Sequence, residues 1–389
     1  MAKKASKPKA RPTLDSKPVE AQRQHPAPVK FSQILGQDRA LKILADAIRS
    51  GRVHHAWIFH GPAGVGKFTA ALAFAALILD DTTKAKGDQP LPAPDSRVQQ
   101  LLSAGTHPDL HIITKELARY SEDAQVRERK LITIPRDVID THLIAPAALA
   151  SALPGGLASK VFIVDEAELL DRSPNNAPTQ NAILKTLEEP PPGTVIILVT
   201  TSPDRLLTTI RSRSQQVAFA PLPDAAMKEW MHEHREQIQP PIGADDLPWL
   251  QSFAAGSPGE LLAANQGGLA AWSRTLEPLL AQADSGKYAP GLGPTMAKLI
   301  DEWAGAVVDK DKQASKDAAN RAGAELMFRL LSQRARQQLR RQTASPEKQL
   351  TAIANIREAE RQLDAGVQAQ FVMEWLSTQL SRAPDALLV

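Results

Sequence analysis

"HAWIFHGPAGVGKFTAAL" (residues 55–72) decides the fold. An apolar run, Ala56–Phe59, leads into a glycine-rich loop, and an alanine-rich segment follows at once. Strand, glycine loop and helix, in that order, bring consecutive backbone N–H groups and a helix N-terminus onto phosphate oxygens. Gly61, Gly66 and Lys67 satisfy the spacing G-x-x-x-x-G-K, and Gly64 adds a further glycine between them. Lys67 would neutralise the β- and γ-phosphates. The pattern then asks for Ser or Thr, whose hydroxyl binds the accompanying Mg²⁺, and the chain places Phe68 there. Thr69 is adjacent, but one step along a helix turns a side chain by about 100°, which directs its hydroxyl away from the metal. Thr69 enters the candidate nucleotide site by adjacency alone. The loop leaves room for ATP or ADP to bind without efficient hydrolysis; the plainer alternative is a glycine loop kept only for folding.

Working outward, "RALKILADAIRSG" (39–51) carries Leu41, Leu44 and Ile48 at helical spacing before a terminating glycine. "PDLHIIT" (108–114), "KVFIVDEAELL" (160–170) and "TVIILVTT" (194–201) each contain a short apolar strand. Strands apolar throughout, alternating with helices, predict a parallel sheet covered on both faces. Between them lie a polar, proline-rich loop (80–98), a charged insertion expected to be exposed (115–130) and a helical stretch (135–149). A helix with a proline stop (177–193) and a helix or turn at 203–216 complete the alternation. Asp165 and Glu166 close one of the strands. In P-loop ATPases such a pair holds Mg²⁺ through water and polarises the attacking water; strand-end carboxylates also serve as helix N-caps. After "PLP" (221–223) no apolar strand is legible, and the chain reads as helix to its end. Leu363, Val367, Phe371 and Trp375 recur every four residues, which predicts the buried face of a final helix.

The expected organisation is therefore an α/β P-loop core with a parallel sheet at 29–222, a small helical domain at 223–268 and an all-α domain at 269–389. Residues 1–28, rich in Lys, Arg, Pro and Ser, predict a disordered basic tail. A net charge of +3 over 389 residues excludes a generally nucleic-acid-coating protein. With no cysteine the chain has no disulfide, thiolate metal site or catalytic thiol. No apolar run reaches membrane-spanning length, and the first residues lack the apolar core of a secretory signal, so a cytoplasmic protein with no membrane partner is expected.

Taken together, "ILGQDRALKILADAIRSGRVHHAWIFHGPAGVGK" (34–67), "THPDLH" (106–111), "VFIVDEAELL" (161–170), "NAILKTLEEPPPGTVIILVTTSPDRLLTTIRSRSQ" (181–215) and "GSPGELL" (256–262) resemble the clamp-loader branch of the AAA+ proteins. The resemblance covers about residues 31–262 and is most specific at "LKTLEEPPPGT". It implies an AAA+ core, a helical lid and a helical collar that joins subunits into a hetero-pentameric ring. Such a ring opens a sliding clamp and closes it around primed DNA during replication, using ATP held at subunit interfaces. An arginine from the neighbouring subunit completes each interface site, in a motif that Ser212, Arg213 and Ser214 match. Arg213 is thus the candidate in-trans arginine finger, with Arg211 as the runner-up; either could instead cap its own helix.

Three departures refine the role the resemblance implies. Many members hold zinc with four cysteines before the "HPD" strand, whereas His107 and His111 alone read as structural, so no zinc is expected. The lid arginine that active members use to sense nucleotide would fall near Gly259. Third, Phe68 replaces the metal ligand. The last two imply a subunit with no intrinsic ATPase that acts as a stator and donates Arg213. An ATP-hydrolysing motor subunit or another AAA+ ATPase is the alternative, and a structural or nucleic-acid-binding module with a vestigial frame is a third reading. "RARQQLRRQ" (334–342) lacks interleaved aromatics and reads as a solvated or subunit-facing strip rather than a DNA site. His54 and His55 read as structure or as a wall of the nucleotide pocket.

Overall fold

Three segments, Ala56–Phe59, Val161–Val164 and Val195–Leu198, have no residue more than 3% exposed. A strand with both faces buried must be covered above and below, which places all three in the interior of an α/β sandwich. The structure, a computed structural model, describes residues 27–86, 89–128, 132–171, 177–310, 315–341 and 345–382; the tail expected at 1–28 lies almost wholly outside these residues.

The strands, in chain order, are β1 (Ala56–His60), β2 (Lys84–Lys86), β3 (Gln89–Leu91), β4 (Leu110–Ile113), β5 (Lys160–Val164), β6 (Thr194–Thr200) and β7 (Gln215–Ala218). β2 and β3 form a separate antiparallel hairpin, and the other five form one sheet in the order β4-β5-β6-β1-β7. All four pairings in that sheet are parallel. Ala56 lies opposite Ile196, and Val161 opposite Val195. β1 is therefore internal, flanked by β6 and β7. Its carboxyl end opens beside those of β5 and β6, where ligands of open α/β sheets bind. This is a parallel α/β core with a glycine-rich loop between its first strand and the helix that follows.

Helix α1 (Asp38–Arg49) buries Leu44 and Ile48, as its spacing predicts, while Leu41 is half-buried. Helix α2 (Lys67–Leu79) is buried from Ala70 to Leu79. Its alanines allow close approach, and Phe74 packs against Trp57 at 5.2 Å between ring centres. Helix α3 (Arg97–Ser103) is capped by Ser96, whose hydroxyl also donates to buried Asp80. Helices α4 (Pro178–Glu188) and α5 (Thr208–Ser212) follow β5 and β6.

Three expectations for this region change. The stretch 203–216, read as helix or turn, ends in β7. Only Val217 of that strand is buried, because an edge strand has one neighbour and needs little apolar sequence. The loop at 80–98 contains the β2–β3 hairpin. The insertion at 115–130 is not wholly exposed: Leu117, Ala118 and Val126 join the buried cluster around β5 and β6.

The chain divides into two compact units, residues 1–226 and 227–389. Helix α6 (Asp224–Glu233) crosses that division, and the second unit continues with α7 (Leu247–Ala254) and α8 (Pro258–Gln266). Longer helices follow: α9 (Leu269–Asp284), α10 (Leu292–Lys310), α11 (Lys316–Arg341), α12 (Pro346–Asp364) and α13 (Ala369–Leu380). The single final helix expected from Leu363, Val367, Phe371 and Trp375 is instead two. Gly366, at φ 94°, separates α12 from α13. Val367 and Phe371 are 40% and 56% exposed, and α13 buries Val372, Met373 and Leu376. A period of four drifts off one helical face, so the turn inserted by Gly366 wins. Among the described residues no helix is long and apolar enough to cross a membrane.

Candidate nucleotide site and arginine surface

The loop between β1 and α2 takes its shape from three left-handed glycines, Gly61, Gly64 and Gly66. At Gly61 the requirement is also steric: a Cβ there would lie 2.2 Å from the Phe219 carbonyl oxygen. Gly66, at φ 94°, is the N-cap of α2. The loop and helix start therefore have the form that receives phosphate. Lys67 is nearly buried, and its ammonium donates to the carbonyls of Gly61 (2.8 Å) and Pro62 (2.5 Å). Burial lowers its pKa, opposed by the nearby carboxylates of Glu168 and Asp165. The same burial, with the Lys67 charge, lowers that of His60.

Phe68 is half-buried at the first turn, where a metal ligand would be needed, and Thr69 is exposed. Neither residue supplies an oxygen at the expected metal position, so the metal side of a nucleotide complex does not fit this chain as its phosphate side does.

Asp165 and Glu166 follow β5 and diverge. Burial pushes the Asp165 carboxyl up to about 6, against the backbone N–H of Glu166 that donates to it at 3.0 Å. Glu166 adopts the left-handed conformation (φ 49°), uncommon without a glycine, and pairs with Lys115 at 2.8 Å. The residue read as polarising water is thereby drawn to a cation just beyond the end of β4. Glu168 stands closer to the loop's electrostatics. One of its oxygens accepts from the backbone N–H of Thr201 at 3.2 Å and from the Thr201 hydroxyl. Its Oε2 is buried without a hydrogen-bond partner.

Gln37 holds the loop from behind. It is 4% exposed, and its amide donates to the carbonyls of Val65 (3.1 Å) and Ala220 (2.7 Å) while accepting from the Ala220 N–H. The sequence reading gave no role to Gln37, Lys115, Glu168 or Thr201. The only sequence signal for Lys115, Glu168 and Thr201 is their position one to four residues past apolar strands that end on the same edge.

Arg213 caps the C-terminus of α5, bonded to the Thr209 carbonyl at 3.2 Å and to Glu188 at 2.9 Å, with 39% of its side chain exposed. Arg211 pairs with Asp204 at 3.0 Å, and its Nε is buried without a partner. The two arginines are thus held by different acids. His54 and His55 stack at 4.3 Å before β1, and burial lowers the pKa of His55. His107 accepts from the Asp109 N–H, and His111 stacks on Phe162 at 4.7 Å. His107 is buried and His111 half-buried, and two histidines alone do not make a zinc-ligand set. Gly259 is the second residue of α8. In the strip at 334–341, Arg334 is engaged with Glu277 and Asp284 while Arg336, Arg340 and Arg341 are exposed.

Residues 36–223 match the model of the family described as "DNA polymerase III, delta subunit". The chain is 35% identical over 205 residues to DNA polymerase III subunit delta' of Pseudomonas aeruginosa, covering 52% of this chain and 53% of that protein. It is 29% identical over 197 residues to the subunit delta' of Bacillus subtilis, covering 51% of each. The gamma/tau subunit of Mycobacterium bovis is 27% identical over 235 residues, 60% of this chain and 36% of that one. The chain spans about half the length of the delta' proteins it matches. Residues 36–223 thus match the DNA polymerase III delta subunit family, and this region is similar to the delta' proteins.

Proposed function

We propose that this chain is a non-hydrolysing subunit of a clamp loader of DNA polymerase III. It acts as a stator in a hetero-pentameric ring and donates Arg213 to the ATP site of a neighbouring subunit as the sliding clamp is loaded on primed DNA. Residues 223–268 serve as lid and 269–389 as the collar that joins the ring. The observation that carries the reading is the metal side of the loop: Phe68 stands where an oxygen is needed, and Thr69 is exposed instead. The pairing of Glu166 with Lys115 supports it, because it removes the carboxylate that would polarise water. When bound, a nucleotide would meet the backbone N–H groups of residues 64–67 and the Lys67 ammonium, without a side-chain metal ligand. Arg213, by contrast, keeps a charged head at the surface. An arginine supplied in trans stabilises charge on the transferring phosphoryl group and is worth about 10³-fold or more at its site.

The test is the ATPase of the reconstituted loader with clamp and primed DNA, beside the isolated chain. The isolated chain is inert, and Arg213→Ala removes the share of loader turnover owed to the adjoining site while the complex stays assembled. Hydrolysis by the isolated chain that Lys67→Ala abolishes would sink this reading. It would favour a second one, an ATP-hydrolysing motor subunit, for which the intact Gly61, Gly64, Gly66, Lys67 and Asp165 set speaks.

A further inference from the structure

The motif "LKTLEEPPPG" (184–193) ends α4 abruptly. Pro190 lacks an N–H and disfavours helical backbone in the residue before it. Glu189 accordingly leaves the helix at φ −126°, ψ 69°, and Glu188 is the last helical residue. A carboxylate there sits at the negative end of its own helix, where the dipole disfavours an anion and favours a cation. That cation is Arg213, whose Nη2 lies 2.9 Å from Glu188 Oε1. The second hold on Arg213 is also a helix C-terminus, the Thr209 carbonyl in the last turn of α5. The guanidinium is therefore folded back onto two negative helix ends of its own chain. Both partners remain open to solvent, at 39% and 47% exposure. Arg211 differs: it is held by Asp204, and part of its head is buried.

We infer that Glu188 is the resting counter-ion of Arg213 and positions it by competition. Glu188 keeps the guanidinium on its own chain until the phosphate of a nucleoside triphosphate, bound to the neighbouring subunit, takes its place. The exchange swaps one anion for another, so Arg213 reaches outward without a stage at which its charge is unpaired. The acid thereby delays engagement of the finger until the neighbour's phosphate is correctly presented. This rests on the proposed in-trans role of Arg213.

The test uses the assembled loader, with ATPase measured in the absence of clamp and DNA, for Glu188→Gln, Glu188→Asp, Arg213→Ala and the double variant Glu188→Gln with Arg213→Ala. Glu188→Gln is expected to raise this unstimulated rate by about two- to fivefold, the range that releasing one exposed ion pair permits. Glu188→Asp restores a rate near that of the parent, and the gain vanishes in the Arg213→Ala background. If Glu188 were only a staple between α4 and α5, its loss would not raise the rate, and its effect would be the same with or without Arg213. An unchanged or lowered rate in Glu188→Gln, with Arg213→Ala still impairing the loader, overturns this inference alone. If Arg213→Ala leaves loader ATPase intact, the donated arginine falls and this inference falls with it.

Discussion

Replacing Asp165 by Asn should stabilise the first unit at neutral pH and do little in acid. The Asp165 carboxyl titrates near 6 in the fold, against its ordinary 3.8, chiefly because it is buried. A folded state that binds a proton more tightly than the unfolded chain is most stable below the unfolded value. It loses that advantage as pH rises to the folded one, so stability falls between about 3.8 and about 6 and is flat above. Two pH units at about 1.4 kcal/mol each put the destabilisation by the ionised form near 3 kcal/mol. Partial solvent access trims this to about 1–3 kcal/mol. Asn retains an oxygen for the Glu166 N–H, so that hydrogen bond survives. The gain is therefore about 1–3 kcal/mol at pH 8 and close to zero at pH 4.

Native-state hydrogen exchange of the β5 and β6 amides is the assay, because it reads the first unit separately from the second. Other carboxylates titrate in both proteins and cancel in the difference. A control follows from the charge beside it: Lys67 lowers the Asp165 pKa, so Lys67→Met should destabilise the parent at pH 8 and enlarge the gain from Asp165→Asn. If Asp165→Asn is no more stable at pH 8, or gains equally at both pH values, buried ionisation is not what strains this site.

Gly61→Ala forces a Cβ to 2.2 Å from the Phe219 carbonyl at φ 143°; overpacking and backbone strain together should remove about 3–5 kcal/mol, read as a large fall in thermal midpoint. Gln37→Ala abandons two carbonyls and one N–H around the loop, and a loss of about 2–4 kcal/mol is expected in urea unfolding. Asp80 accepts from Thr82, Ser96 and Gln99, and these hydrogen bonds lower its pKa although burial opposes them. Its contribution is present above the unfolded value of 3.8 and lost as pH falls through the lower folded one. Asp80→Asn should therefore destabilise by about 1–3 kcal/mol at pH 7, with the gap to the parent narrowing as pH falls below 3.8 in paired thermal melts.

The interior of the core was legible because fully buried strands write themselves as apolar runs: "WIF", "VFIV" and "VIILV" are strands in sequence and in space. β7 was not, since an edge strand needs only Val217 inward and its glutamines match a turn as well. The last two helices were misread because four-residue recurrence counts residues across Gly366 as though the chain did not turn there. At the candidate site, the residues that sequence reading selected are those set by local spacing: Gly61, Gly66, Lys67, Asp165 and Glu166. Those that act on them from other strands were missed. Lys115 meets Glu166 and Thr201 meets Glu168 only because β4, β5 and β6 end side by side, a fact of strand order rather than of either segment.

Contacts within the fold also explain how the glycine loop can be kept beside Phe68. Gly61 is required by the Phe219 carbonyl, which lies at the end of β7 and owes nothing to nucleotide. Gly66 must be left-handed for α2 to start where it does. Lys67 satisfies two loop carbonyls and opposes the buried charge of Asp165 and Glu168. Removing any of the three would leave a clash, a misdirected helix or uncompensated carboxylates, so folding alone is enough to keep them. Position 68 has no such second duty. A hydroxyl there would serve only the metal, whereas an apolar ring can be half-buried against the start of α2 without unsatisfied polar atoms. Position 68 is the one place where this chain departs from the G-x-x-x-x-G-K-[ST] pattern, and among these four it is the residue for which the fold shows no such second requirement.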